Sequence, residues 1–421
     1  MNPPARVLDV WLDDAHVGQL RDTGNVWALT YDDAWRARPD GFDLSPSLPR
    51  TENEIVDGAS SRPVQWFFDN LLPEEDARAL LATHAGITGA DAFGLLEYYG
   101  RESAGALTLL PPGEQAPTGG LQHLSEADLS ARIRNLPRVP LVGGAPKRMS
   151  MAGAQHKLAV VAGGSALWEP VGRTASTHIL KPDHQNVDIY PHSVANEWFV
   201  MRLARAVGIP VPGVEMRHIP EPIFLVERFD RAGKPGHATR LHAIDGCQVL
   251  SLSPVFKYSQ ATAETFAQLV DACRRKAATR MTLYRWAVFN LVVGNGDAHL
   301  KNLSFLAGSR GIDLAPHYDL VSTTVWRDAD WASAELSTPM GAATRFAVVR
   351  RPDVQAFARE LGRPEPLASR LLDELLGRIE AHARTLSEAH DAAPDSLPGE
   401  ARLLRQIVHG PIVGMTRQLA S

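Results

Sequence analysis

Asp297 and Asn302 stand five residues apart in the stretch Asn295-Gly296-Asp297-Ala298-His299-Leu300-Lys301-Asn302. An Asp that orients an attacking hydroxyl, followed by an Asn that holds a metal ion, is half of a phosphoryl-transfer site. A polar turn between two core elements accounts for the same residues equally well, since Asn, Gly and Asp are common turn formers. Further parts are therefore needed. Asp319, 22 residues past Asp297 in Tyr318-Asp319, suits a second metal-binding carboxylate. Lys181 closes the apolar run His178-Ile179-Leu180 and can reach nucleotide phosphates, with Glu197 on the next helix as its expected partner. A surface Lys and a Glu serving the helix dipole is the alternative. The small residues Ala152, Gly153 and Ala154, with Gln155, His156 and Lys157 behind them, suit a loop whose N–H groups approach phosphates. A plain hairpin loop has the same composition, and the stretch is neither a Walker A motif nor a strict G-x-G-x-x-G.

The elements that must hold these residues read as follows. Strands are expected at 7–12, 17–20 and 26–31, then helices at 64–72 and 74–84 and a closing strand at 104–110. Residues 111–120, rich in Pro and Gly, read as a linker and a domain boundary. Beyond it come a helix at 125–136, a strand at 158–162 turning at Gly163-Gly164-Ser165, the Lys181 strand, and a helix stopped by Gly208 and Pro210. Ile223-Phe224-Leu225-Val226 is a strand running into Glu227-Arg228-Phe229-Asp230-Arg231. That segment reads either as an adenine-binding hinge at Glu227, Arg228 and Phe229 or as a strand edge with an Asp230–Arg231 surface pair. From residue 261 the chain becomes mainly helical, with helices at 264–278, 281–293, 354–361 and 366–386. Residues 326–344 lack periodicity and are expected to form a mobile or substrate-facing loop.

Composition narrows the classes. The chain has 421 residues, 44% hydrophobic and 22% charged, enough for more than one domain and a sizeable core. A net charge of −5 argues against the whole surface being a nucleic-acid platform. Two cysteines, Cys247 and Cys273, are too few for a disulfide framework or a cysteine-pair zinc site and fit a reducing compartment. No basic start with an apolar run behind it and no apolar stretch of about 18 residues is present, so a cytoplasmic location is expected.

The order of the parts (small-residue loop, strand Lys, helix Glu, hinge strand, helices, Asp-x-x-x-x-Asn, Asp) is that of a two-lobed kinase. In that order the sequence resembles the HipA toxins of type II toxin–antitoxin systems, which are serine/threonine kinases. The resemblance runs through Phe67-Phe68-Asp69-Asn70-Leu71-Leu72-Pro73, Gly100-Arg101-Glu102-Ser103-Ala104-Gly105-Ala106 and Ser150-Met151-Ala152-Gly153-Ala154-Gln155-His156-Lys157. It continues through Asn196-Glu197, Leu225 to Arg231, Gly296 to Asn302 and Tyr318-Asp319. It implies an α+β, two-lobed kinase-like fold, with a mixed N-lobe at about 120–245, a mainly helical C-lobe at about 246–421 and a small α+β subdomain at 1–110.

Roles follow from the same resemblance. Asp297 is implied as the catalytic residue, Asn302 and Asp319 as Mg²⁺ ligands, and Lys181 as the Lys on the ATP phosphates. Residues Ala152 to Lys157 would cover the phosphates, Glu227 to Phe229 would meet the adenine, and His299, Leu300, Lys301 and Tyr318 would complete the nucleotide site. Ser150 is implied as an autophosphorylation site whose dianion repels the loop and switches the kinase off. The implied partners are a HipB-like helix-turn-helix antitoxin, operator DNA reached mainly through it, and a protein substrate of the aminoacyl-tRNA synthetase kind, such as the glutamyl enzyme. Two departures stand out: His156 where Glu is usual, and Ala298 where Gly is common. A small-molecule kinase of the aminoglycoside-phosphotransferase type shares the Asp297, His299 and Asn302 spacing, and a non-catalytic corepressor is a further alternative.

Overall fold

A computed structural model of the chain describes residues 5–149, 151–153, 155–326 and 331–420. Ser150 and Ala154, both expected site residues, lie outside the described residues. The chain divides into two compact units. The first holds the residues up to Pro182, His218–Val255 and Ser304–Ala315; the second holds Asp183–Arg217, Phe256–Leu303 and the chain from Pro316 onward.

In the first unit, tight hairpin tips at Asp13 and at Gly24-Asn25, all with positive φ, turn the opening strands back on one another. Arg6–Leu12, Ala15–Thr23 and Val26–Tyr31 form the middle of a sheet edged by Glu54–Val56 and Leu107–Leu110. The helices Pro63–Asp69, Glu75–Ala85 and Ala92–Tyr99 follow, the last bringing Phe93 edge-on to Trp27 at 5.2 Å. A second sheet orders Pro222–Glu227, His178–Pro182, Leu158–Gly163, Ala166–Val171 and Gly120–Leu124 side by side. Its apolar face buries Leu158, Val160, Leu180, Ile223 and Leu225, which stand at alternate positions of antiparallel strands and so share one face. The segment expected as a linker ends at Gly120, which pairs with Val171, and residues on both sides of it belong to the same unit.

A buried histidine here gives a pH test. His242 donates from Nε2 to the Leu44 carbonyl at 2.8 Å. Burial pushes its pKa down to about 4, with the Leu44 contact opposing the shift. A folded value below the unfolded 6.5 means the contribution is complete above pH 6.5 and is lost as the pH falls from 6.5 toward 4. The loss amounts to about 3 kcal/mol. Urea unfolding of a His242→Gln variant should therefore show a flatter stability curve over that window than the parent chain.

The second unit is mainly helical. Its helices are Ser193–Ala206, Ala263–Ala272, Lys276–Val293, Arg351–Glu360, Glu365–Asp391, Pro398–Ile407 and Val413–Ala420. Two expected helices, 264–278 and 281–293, are divided differently. The chain turns extended at Cys273 and the longer helix starts at Lys276, so that the apolar faces meet, Phe266 lying 5.8 Å from Trp286. The last two helices have no counterpart among the sequence expectations; a π-turn at Val408–Ile412, which contains Gly410 and Pro411, carries the chain from one to the other. The stretch expected as a loop contains a strand pair, Glu335–Met340 with Ala343–Arg345, turning at Gly341. No helix among the described residues is long and apolar enough to cross a membrane.

Candidate active site

Each unit carries one set of the predicted residues. In the second unit the Asp-x-x-x-x-Asn spacing has a local cause. Helix Lys276–Val293 stops at Gly294 (φ +71°), where a Cβ would meet Thr324 Oγ1 at 2.2 Å, so glycine is required. A buried amide relay then shapes the loop. Asn290 Nδ2 donates to the Trp286 carbonyl (2.9 Å), Asn295 Nδ2 to Asn290 Oδ1 (2.7 Å), and the Asp297 N–H to Asn295 Oδ1 (2.9 Å). The single 3₁₀ turn Leu300–Asn302 swings Asn302 back, so that its Nδ2 donates to the Asp297 carbonyl at 2.8 Å. Four intervening residues make that return possible.

The Asp297 side chain is half-exposed, and its Oδ1 accepts a hydrogen bond from the Tyr258 hydroxyl. His299, buried, lies with Nε2 4.0 Å from the same oxygen. Leu300 and Lys301 are buried in the turn. Tyr318 donates its hydroxyl to the Lys301 carbonyl at 2.8 Å, which ties the Tyr318-Asp319 pair to this loop. Asp319 itself sits at φ +57°, an uncommon conformation for a non-glycine residue and one that tends to mark functional positions. Asn196 exchanges two hydrogen bonds with the Ser322 backbone, at 3.0 and 2.8 Å, and fastens the helix carrying buried Glu197 to the segment behind Asp319. At the departure noted above, Ala298 is buried and its carbonyl accepts from Thr338.

In the first unit, Lys181 is buried on strand His178–Pro182, its Nζ 5.9 Å from the Phe224 ring and its backbone in register with Phe224. The loop before the central strand is drawn to it, since Gln155 Nε2 donates to the Pro182 carbonyl at 3.1 Å. Lys157 Nζ donates to the Ala152 carbonyl (2.6 Å), and Gly153 (φ +104°) bridges to Pro73. The φ of +104° at Gly153 is a backbone conformation that residues with a Cβ rarely adopt, which accounts for the glycine. His156 is half-buried in the same loop.

The charged end of the hinge strand corrects one reading. Asp230 and Arg231 are no surface pair, for their side chains are 7% and 4% exposed. Glu227 points outward and Phe229 is half-buried, whereas Arg228 is buried and chelates Asp230 at 2.9 and 2.6 Å. Both join a cluster around Glu102, a residue that sequence reasoning quoted without giving it a role. Its one signal was a lone acid among small residues in Gly100-Arg101-Glu102-Ser103-Ala104-Gly105. Tyr258 was missed outright, since a tyrosine in an irregular segment announces nothing alone, and Asn196 was quoted beside Glu197 without a role of its own.

The donor chemistry suits a nucleotide–magnesium site. The Asn302 nitrogen is committed to Asp297, which leaves its amide oxygen, a hard ligand, for a metal. Asp319 supplies a carboxylate, and Mg²⁺ usually takes one or two such groups with phosphate oxygens and water.

Comparison with known proteins agrees with this geometry. A model of the HipA-like C-terminal domain matches residues 149–383, and one of the HipA N-terminal domain matches residues 8–110. The provisionally named kinase Y4mE of Sinorhizobium fredii is 37% identical over 95% of this chain and 99% of its own length. The serine/threonine-protein kinase toxin HipA of Shewanella oneidensis is 32% identical over 76% of each chain. The HipA–HipB–operator DNA complex of Shewanella oneidensis contains a chain that superposes with a TM-score of 0.83 at 28% identity, covering 98% of this chain and 97% of that one. The fold is thus the expected α+β, kinase-like one, and the chain belongs to the HipA family of kinases.

Proposed function

We propose that this chain is an ATP- and Mg²⁺-dependent serine/threonine-protein kinase acting as the toxin of a toxin–antitoxin pair. The observation that carries the reading is the loop in which Asn302 folds back onto the carbonyl of a half-exposed Asp297. Asp297 orients the acceptor hydroxyl and takes its proton as the oxygen attacks the γ-phosphorus of ATP, while the bond from that phosphorus to the β–γ bridging oxygen breaks and ADP leaves. Asn302 and Asp319 would hold Mg²⁺, which neutralises charge on the transferring phosphoryl group. Lys181 and the loop from Ala152 to Lys157 bind the phosphates, Glu227 to Phe229 bind adenine, and His299 to Lys301 and Tyr318 complete the site, with Glu197 supporting Lys181. Residues 1–110 serve as the N-terminal subdomain and 111–421 as the kinase-like domain.

The finer reading follows the family resemblance set out from the sequence. The chain phosphorylates a translation component of the aminoacyl-tRNA synthetase kind, glutamate–tRNA ligase being the first to test, and phosphorylates itself on Ser150. A HipB-like antitoxin neutralises it and carries it to operator DNA, with both acting in the cytoplasm. Incubation with ATP and Mg²⁺ followed by mass spectrometry should find phosphoserine at Ser150 and transfer to the synthetase. Absence of phosphate at Ser150 in every preparation would remove self-inactivation from the reading. Transfer to aminoglycosides alone would favour the small-molecule rival.

A further inference from the structure

The kinase reading leaves one contact of Asp297 unexplained. Tyr258 comes from the segment between the 3₁₀ turn Pro254–Phe256 and helix Ala263–Ala272, far from Asp297 in sequence, yet its hydroxyl donates to Asp297 Oδ1. This is a held arrangement. The Leu300 N–H donates to the Lys257 carbonyl at 3.2 Å and pins the segment to the catalytic loop. The Tyr258 ring meets the His299 ring edge-on, with centroids 4.8 Å apart, and Lys257, itself buried, places Nζ 5.1 Å from the ring centroid. A carboxylate has two oxygens and about four acceptor sites, so a donor fixed on Oδ1 sets which way the group turns. A base that takes a proton from a substrate is effective only when its own orientation is set, commonly by a third group hydrogen-bonded to it.

We propose that Tyr258 is a positioning residue for phosphoryl transfer: its hydroxyl fixes the orientation of the Asp297 carboxylate through Oδ1. The inference rests on the kinase reading above. Tyr258→Phe removes the donor and keeps the ring, and the side chain is 42% exposed, so folding should be untouched. Transfer of labelled phosphate from ATP would be followed in the full chain, to the chain itself and to dephosphorylated casein. The variant should lose about 10- to 100-fold in limiting rate, as expected for one charge-assisted hydrogen bond. The ATP concentration at half-maximal rate and the Tm should not move. In an Asp297→Asn background the same substitution should change the residual rate by less than about twofold, because the base whose orientation it sets is gone even though the amide oxygen can still accept from Tyr258. A wild-type limiting rate in Tyr258→Phe, or a rate loss matched by a fall in Tm and weaker ATP use, would overturn the proposal. A wild-type chain that transfers no phosphate would sink the kinase reading itself, a different result from an active parent with an equally active variant.

Discussion

Glu102→Ala should unfold or severely destabilise the first unit, with a loss of about 3–5 kcal/mol in urea unfolding. The Glu102 carboxylate is shut away from water and faces four cations: Lys147 at 2.5 Å, Arg231 at 2.9 Å, Arg240 at 3.0 Å and Arg228 at 3.4 Å. Ser176 adds a hydroxyl at 2.9 Å. Burial alone would raise the pKa of this acid, but the attraction of Lys147, Arg240, Arg231 and Arg228 holds it well below the usual carboxylate range. Its contribution is therefore complete at neutral pH and is lost only as the pH falls through that depressed value. Without Glu102, the buried carboxylate Asp230 still pairs with Arg228 and Arg231, Lys147 loses its partner carboxylate, and Arg240 keeps exposed Asp13. Uncompensated charge away from water is what makes breaking such a cluster costly, whereas replacing a whole cluster with apolar groups can be neutral. A loss of this size is a large part of the 5–15 kcal/mol that typically stabilises a domain.

Arg134→Ala supplies the contrast. Arg134 binds Glu221 at the same 2.6 Å that joins Arg228 to Asp230, but its side chain is 66% exposed. Solvent screening leaves such a pair worth less than about 1 kcal/mol, so distance alone does not predict the outcome. Glu102→Ala also reaches the segment after strand Pro222–Glu227, since Arg228 donates to the Ser103 carbonyl and its N–H to the Thr177 carbonyl. Ser103 and Glu102 lie in the region matched by the N-terminal family model, so that region is tied to this strand.

The three opening strands of the first unit and its helices Pro63–Asp69 and Glu75–Ala85 were legible because their apolar periods are short and their turns carry Gly, Asn and Asp. Helix Ala92–Tyr99, whose second half reads as part of the closing strand, and the short edge strand Glu54–Val56 were not. The candidate residues were legible for another reason: the return of Asn302 to Asp297 is made within five residues, so sequence spacing encodes it. What was hidden is what the chain joins across long separations. Glu102 meets Arg228, Arg231 and Arg240 over more than a hundred residues, and Tyr258 meets Asp297 over 39. Charged side chains at such positions read as surface by default, because burial depends on neighbours that no local pattern names. The Asp230–Arg231 pair shows the consequence, for a segment that reads as a solvated edge is the centre of a buried network. The division of helices near Cys273 was hidden similarly, since the bend serves the meeting of Phe266 and Trp286 and not any local breaker.

Asp297→Asn should abolish phosphoryl transfer while leaving the fold in place. The loop is held through the Asp297 backbone: its N–H donates to Asn295, and its carbonyl accepts from His299 and Asn302. None of these contacts uses the carboxylate. An asparagine side chain keeps the shape and keeps an oxygen that can accept from Tyr258, so stability should shift by no more than about 0.5 kcal/mol. The proton acceptor, however, is gone. Removing a positioned general base costs about 10²–10⁴ in rate, to be read as incorporation of labelled phosphate with ATP and Mg²⁺. Asn302→Ala would be a poorer probe, since it deletes both an oxygen suited to the metal and the amide that braces the Asp297 carbonyl. The same Asp297→Asn variant separates a kinase toxin from a corepressor: growth inhibition on expression should disappear while capture of the co-expressed antitoxin persists. A variant that stayed fully toxic and transferred phosphate at the parental rate would show that this loop is not where the chemistry occurs.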